Sequence, residues 1–377
     1  MNNKRLYFDD YVFAISKNNQ SVCGDIFGIL RKSTYTLAIL CDGIGSGIKA
    51  NIAAGMCCER VKNLSLSGLS LRKIFERISS EMEKSKTSDS FYCALSAAVL
   101  FPDGKVIAAA YEMPMPFMLE DGGKWSSVKY DRVGSFHEAN FSLKENDALC
   151  FVSDGITQAG MGSSGVLGAK GALDILNFNL HKVMLADMPK MLTLKAREIS
   201  GSFDDDMTTV ILSARQSNAF CVFSGPPLLK TDDEKAVEKL LSFEGKKAVC
   251  GSTTMDIFCR VSGKKAKIDA SFFMDFIPPE YEIEGLDFAS EGAITLNQCF
   301  NIINDKEILQ KAQTPPAKLA NLLNESDIIH FIEGMSVNKG HGDVMFKQMG
   351  ILPREKIIYK ISNELIKADK IVSKEEI

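Results

Sequence analysis

The stretch Tyr35-Thr36-Leu37-Ala38-Ile39-Leu40-Cys41-Asp42-Gly43-Ile44-Gly45-Ser46-Gly47 decides the reading of the first half of the chain. Tyr35 to Cys41 is a short, apolar, β-prone run, the pattern of a buried strand. It stops at an aspartate and enters a glycine-rich turn. Beyond the turn, Ile48, Ile52, Ala53, Met56 and Cys57 recur at helical spacing. The spacing predicts a helix over 48–61 with those residues on its core face. An aspartate at the end of a buried strand is costly to leave unpaired, so its partners must come from elsewhere in the sequence.

Three other places repeat the arrangement. Asp25 stands in Val22-Cys23-Gly24-Asp25-Ile26-Phe27. Asp154 follows the run Ala148-Leu149-Cys150-Phe151-Val152-Ser153. Asp204, Asp205 and Asp206 precede Met207-Thr208-Thr209-Val210-Ile211-Leu212-Ser213. Alone, an Asp-Gly after a strand is a turn, and a run of aspartates is a solvated loop or a helix cap. Gathered at one sheet edge, the carboxylates would repel unless a cation sat among them. Oxygen donors suit hard ions such as Mg²⁺ or Mn²⁺. The histidines, His137, His181, His330 and His341, lack the spacing of a zinc site. The cysteines form no Cys-x-x-Cys pair and mostly lie in apolar runs, so they read as buried, reduced thiols. A redox role for Cys250 or for Cys57-Cys58 is the alternative.

Working outward, residues 71–82 carry Leu71, Ile74, Phe75, Ile78 and Met82 on one helical face. Strands fit 91–101 and 105–111 around the turn Pro102-Asp103-Gly104, and a hairpin fits 117–129. Helical text fills 172–198. Hairpins mixed with helices predict a layered α+β fold. A polar stretch at 214–218 marks a break, and the rhythm then changes. Strands at 220–224, 247–250 and 328–332 alternate with helices at 232–241 and from 252 to 261, which predicts a smaller α/β domain. The expected domains are 1–215 and 216–377. Gly251-Ser252-Thr253-Thr254, between a strand and a helix, reads as a helix cap that could also cradle an anion. Asn338-Lys339-Gly340-His341-Gly342-Asp343 reads as a surface loop.

Taken in order, the strand with Asp42-Gly43-Ile44-Gly45-Ser46-Gly47, the strand with Ser153-Asp154-Gly155-Ile156, and Asp205-Asp206-Met207-Thr208 resemble the motifs of the metal-dependent protein phosphatase (PPM, or protein phosphatase 2C) superfamily. The first motif and the Gly24-Asp25 step look like its bacterial SpoIIE-like branch. The resemblance covers about residues 8–215. It implies an αββα four-layer sandwich holding two divalent cations, Mn²⁺ or Mg²⁺. By motif match, Asp42 would bridge both ions. The Gly43 carbonyl and Asp25 would help hold one ion, and Asp154 and Asp205 the other. Asp42, Asp154 and Asp205 would form the catalytic set, hydrolysing phosphoserine or phosphothreonine on a protein partner by metal-activated water. Ile44 stands where many eukaryotic members carry a histidine, and no arginine matches their phosphate-gripping residue. The phosphate contacts would then fall to backbone N–H groups at the helix start after Gly47. The branch also allows a homodimer. A catalytically silent adaptor and a small-molecule phosphoesterase are the competing readings.

Composition narrows the partners. A net charge of −4 argues against a nucleic-acid surface, which needs a basic excess. No apolar run reaches the length of a membrane helix, and the first ten residues have no apolar signal core. The sequence therefore predicts a cytoplasmic protein, and the resemblance implies a role in bacterial signalling.

Overall fold

The computed structural model describes residues 5–17, 20–85, 92–162, 165–201, 204–269, 277–336 and 350–377. The chain divides into two units, Met1–Gln216 and Ser217–Ile377, and each is described by itself.

The first unit begins β1 (Leu6–Ile15), β2 (Asp25–Arg31), β3 (Thr36–Gly43), α1 (Gly47–Leu66), α2 (Leu71–Ser85), β4 (Cys93–Leu100) and β5 (Lys105–Tyr111). It continues β6 (Phe117–Glu120), β7 (Lys124–Ser127), β8 (Asp131–Val133), β9 (Phe136–Ser142) and β10 (Ala148–Val152). It closes with α3 (Asp154–Thr157), α4 (Gly168–Asn179), α5 (Met188–Ser200) and β11 (Met207–Gln216). One sheet runs β2-β3-β4-β5-β9-β8 and the other β1-β11-β10-β6-β7. Every pairing in both is antiparallel.

The two-residue period of the strands sorts side chains into layers. Ala38 and Leu40 of β3 meet Leu149, Phe151, Val210 and Leu212 of the opposite sheet in a core between the sheets. Leu37, Ile39 and Cys41 turn the other way, against α1 and α2. Ala148, Cys150 and Val152 face α4 and α5. The result is the four-layer αββα sandwich, helices outside and two sheets within.

Helix α1 forms where the spacing predicts, but of the expected face only Ala53 and Cys57 are buried. Ile48, Ile52 and Met56, read as core residues, are 63%, 48% and 62% exposed. The buried face is Ala50, Ala53, Ala54, Cys57, Cys58 and Val61. The cause is a close approach: a Cβ placed on Gly43 would lie 1.9 Å from the Ala50 carbonyl oxygen. Only small side chains fit beneath a helix so near its sheet. Helix α2 carries its apolar stripe inward as expected, with Leu71, Ile74, Phe75 and Ile78 buried.

Arg72 of α2 clasps Glu138 of β9, donating from Nε at 3.0 Å and from Nη2 at 2.6 Å. The Arg72 hydrogen bonds, against a smaller opposing effect of burial, hold the Glu138 carboxyl below its ordinary value. Because the folded pKa is depressed, this clasp stabilises fully above the ordinary glutamate pKa near 4.5 and is lost as pH falls through the lower folded value. Glu138→Gln should therefore show a shallower loss of stability below pH ~4.5 than wild type in acid titrations followed by circular dichroism. Identical acid profiles would remove this role.

The second unit comprises β12 (Ala219–Ser224), α6 (Asp233–Ser242), β13 (Lys246–Cys250), α7 (Ser252–Ser262), β14 (Lys267–Asp269), β15 (Glu280–Glu282) and β16 (Phe288–Ser290). It continues α8 (Ala293–Ile302), α9 (Lys306–Lys311), α10 (Pro315–Glu325), β17 (Ile328–Glu333), α11 (Arg354–Lys367) and β18 (Ile371–Glu376). Its sheet runs β14-β15-β16-β13-β12-β17-β18. The last five in that order pair in parallel. Helices cover both faces, with one core built on α8, α10 and α11 and the other on α6 and α7. This is the doubly wound α/β arrangement. Ordinary side-chain capping is absent at α7: Gly251 is its N-cap at φ 131° and accepts no side-chain role. The Thr254 hydroxyl instead accepts the Gly225 amide at 2.8 Å. The loop 338–343 lies outside the described residues.

Candidate active site

Strand alternation extends the inter-sheet face past its apolar residues and ends it in acid. On β3 the series Ala38, Leu40 continues to Asp42, and on β2 the series Ile29, Phe27 continues to Asp25. The antiparallel register sets Asp25 directly opposite Asp42. Like charges directly across a strand pair are destabilising. The second sheet contributes from the other side of the gap. Asp154 opens the single turn α3 just after β10, and Asp205 and Asp206 lead into β11. Ser153, between β10 and Asp154, accepts the Thr208 amide at 2.9 Å and ties the two strand ends together.

The structure therefore brings Asp25, Asp42, Asp154 and Asp205 to one end of the sandwich. Burial pushes the Asp42 pKa up to about 10, with further upward pressure from Asp25, from a hydrogen bond to Asp154, and from the Asp205 charge. Burial raises Asp25 to about 7, and the charges of Asp206 and Asp154 add to the rise. The Thr208 and Ser153 hydroxyls face Asp25 and offset part of it. Even so, neither Asp25 oxygen receives a hydrogen bond of acceptable geometry, and Oδ1 of Asp154 is also buried without a partner. Its Oδ2 accepts Gln158 Nε2 at 2.9 Å. Asp205 is raised too, chiefly by burial.

Orphaned carboxylate oxygens crowded at a buried edge are what hard divalent cations would satisfy, so the donor set fits such ions. The cluster is spread rather than tight. Among the described residues, no three carboxylates offer oxygens that all lie within 4.8 Å of one another.

Residues 32–215 match the family model of stage II sporulation protein E (SpoIIE). That match makes the first unit similar to the SpoIIE family. Solved structures similar to the chain include the PP2C phosphatase domain with a regulatory fragment of SpoIIE from Bacillus subtilis. That match has 18% identity and a TM-score of 0.47, and covers 56% of this chain and 64% of that one. The RsbU and RsbW domains of a Mycobacterium tuberculosis protein match at 15% identity and a TM-score of 0.45, over 63% of this chain and 70% of that one. A serine/threonine phosphatase from S. agalactiae matches at 16% identity and a TM-score of 0.41, over 55% and 99%. No curated protein matches the sequence.

Within the first unit, Lys17, Asp204 and Asp206 surround the four aspartates. Lys17, just past β1, brings its ammonium 3.5 Å from Asp205 and donates to the Gly45 carbonyl at 2.9 Å. Its amide donates to Oδ1 of Asp206 at 3.1 Å. Asp206 is buried against Gly24, where a Cβ would lie 2.8 Å from its Oδ2. Asp204 turns outward to Arg197 at 2.8 Å. Only Lys17 lacked any signal: it lies far along the chain from Asp205, and nothing in its neighbours marks it.

Proposed function

We propose that the first unit is a metal-dependent protein serine/threonine phosphatase acting on a phosphorylated protein. The observation that carries the reading is the pair of buried Asp25 and half-buried Asp42 on adjacent strands, faced by Asp154 and Asp205 from the other sheet, with oxygens of Asp25 and Asp154 left unsatisfied. Asp42, the Gly43 carbonyl and Asp25 would hold one divalent cation, and Asp42, Asp154 and Asp205 a second. When bound, Mn²⁺ or Mg²⁺ supplies Lewis acidity for the phosphoryl group and makes water a better nucleophile near neutral pH.

The chain's own residues do the rest. The carboxylates would hold the cations' positive charge at one place, where it costs no reorganisation during reaction. The amides opening α1 after Gly47 offer unpaired donors for a phosphate. Lys17 places a positive charge beside Asp205. Ile44, 56% exposed, contributes no proton.

Residues 1–216 would act as the phosphatase domain, and residues 217–377 as a regulatory domain. The fragment 1–216 should hydrolyse p-nitrophenyl phosphate with manganese and lose turnover in EDTA. A panel of phosphopeptides, nucleotides and sugar phosphates then reads substrate class. Preference for phosphoserine or phosphothreonine peptides supports the proposal. Preference for a small phosphate ester would replace it, and no hydrolysis by either the fragment or the full chain would leave a silent binding domain.

A further inference from the structure

On strand β3, Cys41 and Asp42 are neighbours that face opposite ways. Asp42 looks into the gap between the sheets, and Cys41 looks toward α1. On that side Cys41 meets two more thiols, Cys57 from α1 and Cys93 from β4. The three sulfurs all lie within 4.8 Å of one another. The side chains are 0%, 4% and 1% exposed. Cys58, the next residue of α1, is 2% exposed and also approaches Cys41. All of these cysteines are free thiols.

Three secondary-structure elements thus each deliver one sulfur to a common point. A disulfide could join two of the three and would leave the third without a partner. A metal ion uses all three at once. Thiolates are soft donors that select Zn²⁺ or Cu⁺ over the Mg²⁺ and Mn²⁺ that carboxylates prefer. Charge is also accommodated nearby: Arg60 lies toward Cys57 and Lys62 toward Cys58. Each of these cations keeps a carboxylate partner, Glu81 at 2.5 Å and Glu59 at 2.8 Å.

We propose that Cys41, Cys57 and Cys93 form a soft-metal site that fastens α1 to β3 and β4 behind the acidic cluster. Binding breaks three S–H bonds and forms three metal–sulfur bonds, and the three protons pass to solvent. The site is independent of the phosphatase reading, because its donors, its preferred ions and its face of the sheet all differ.

The test titrates the reduced, full-length protein with Cd²⁺. One ion per chain with strong thiolate-to-cadmium charge-transfer absorption is expected, together with proton release into a weak buffer. Cys57→Ala and Cys93→Ala should each abolish the band, and Cys299→Ala, in the second unit, should retain it. Titrating the cadmium-loaded protein with Zn²⁺ and with Cu⁺ then assigns the ion by which displaces cadmium at the lower free concentration. Because the core variants could misfold, X-ray absorption of the zinc-loaded wild type counts the ligands directly. Three or four sulfur neighbours support the site. A shell of oxygen and nitrogen, no charge-transfer band, or a band that survives both alanine changes would overturn it.

Discussion

Asp42→Asn is expected to make the metal-free protein more stable while lowering manganese-dependent turnover by about 10³-fold or more, a loss of ~4 kcal/mol in transition-state stabilisation. Both effects come from one cause. Burial and the nearby acids push Asp42 up to about 10. The folded state then holds a proton that the unfolded chain releases above pH ~4. Stability without metal therefore falls as pH rises from about 4 toward the raised value. Asparagine keeps the shape, carries no charge, and removes that slope. It also removes the negative charge and one of the two oxygens with which Asp42 would hold the cations. Melting in EDTA at pH 7 should rise by at least ~2–4 °C, the shift that about 1 kcal/mol produces in a domain of this size. Added Mn²⁺ should raise the melting temperature of wild type more than that of the variant. A variant that melts lower in EDTA, or one that keeps wild-type turnover, would separate Asp42 from the cluster.

Gly43→Ala should be the most damaging single methyl in the first unit. Its Cβ would lie 1.9 Å from the Ala50 carbonyl oxygen and 2.9 Å from the Ala50 Cα. Both neighbours are backbone, so no side chain can swing away. Helix α1 would have to lift from β3, at an overpacking cost of at least ~1–3 kcal/mol. The lift also moves Gly43 relative to Asp42, so turnover should fall with stability. Gly55→Ala is the control on the same helix. Its Cβ would meet only the Ile26 Cδ1 at 3.3 Å, the end of a flexible side chain. Helix propensity favours alanine there by up to ~1 kcal/mol, so that variant should melt near or slightly above wild type. Equal melting temperatures for Gly43→Ala and Gly55→Ala would refute the close helix–sheet contact.

That contact also explains where sequence reading succeeded and where it failed. Asp42 and Asp154 were legible because each ends an unbroken apolar run, and a buried strand that stops at an acid is a local signal. The facing of α1 was not. Of the expected face, Ala53 and Cys57 are buried, but Ile48, Ile52 and Met56 are exposed, and Ala50 is the residue that meets Gly43. Hydrophobicity points to the larger residues, and the narrow space admits the smaller ones. Strand β1 was also hidden, because Asp9 and Asp10 interrupt its apolar pattern. Arg215 holds Asp9 at 2.7 Å and Arg31 holds Asp10 at 2.6 Å. Both arginines are distant in sequence, so no local window reveals them. Lys17 was missed because β1 was missed.

The pairing of β1 with β11 bears on how the protein is made. Leu6 to Ile15 register against Gln216 to Met207, so the first strand of this unit waits for its last. At about 5–20 residues per second, a ribosome needs roughly 10–40 s to deliver the second partner after the first. During that interval the nascent chain holds an exposed, unpaired strand, and Asp205 and Asp206 have not yet arrived beside Asp42. The emerging polypeptide can therefore complete its acidic edge only near the end of this unit's translation, in the same step that closes its sheet.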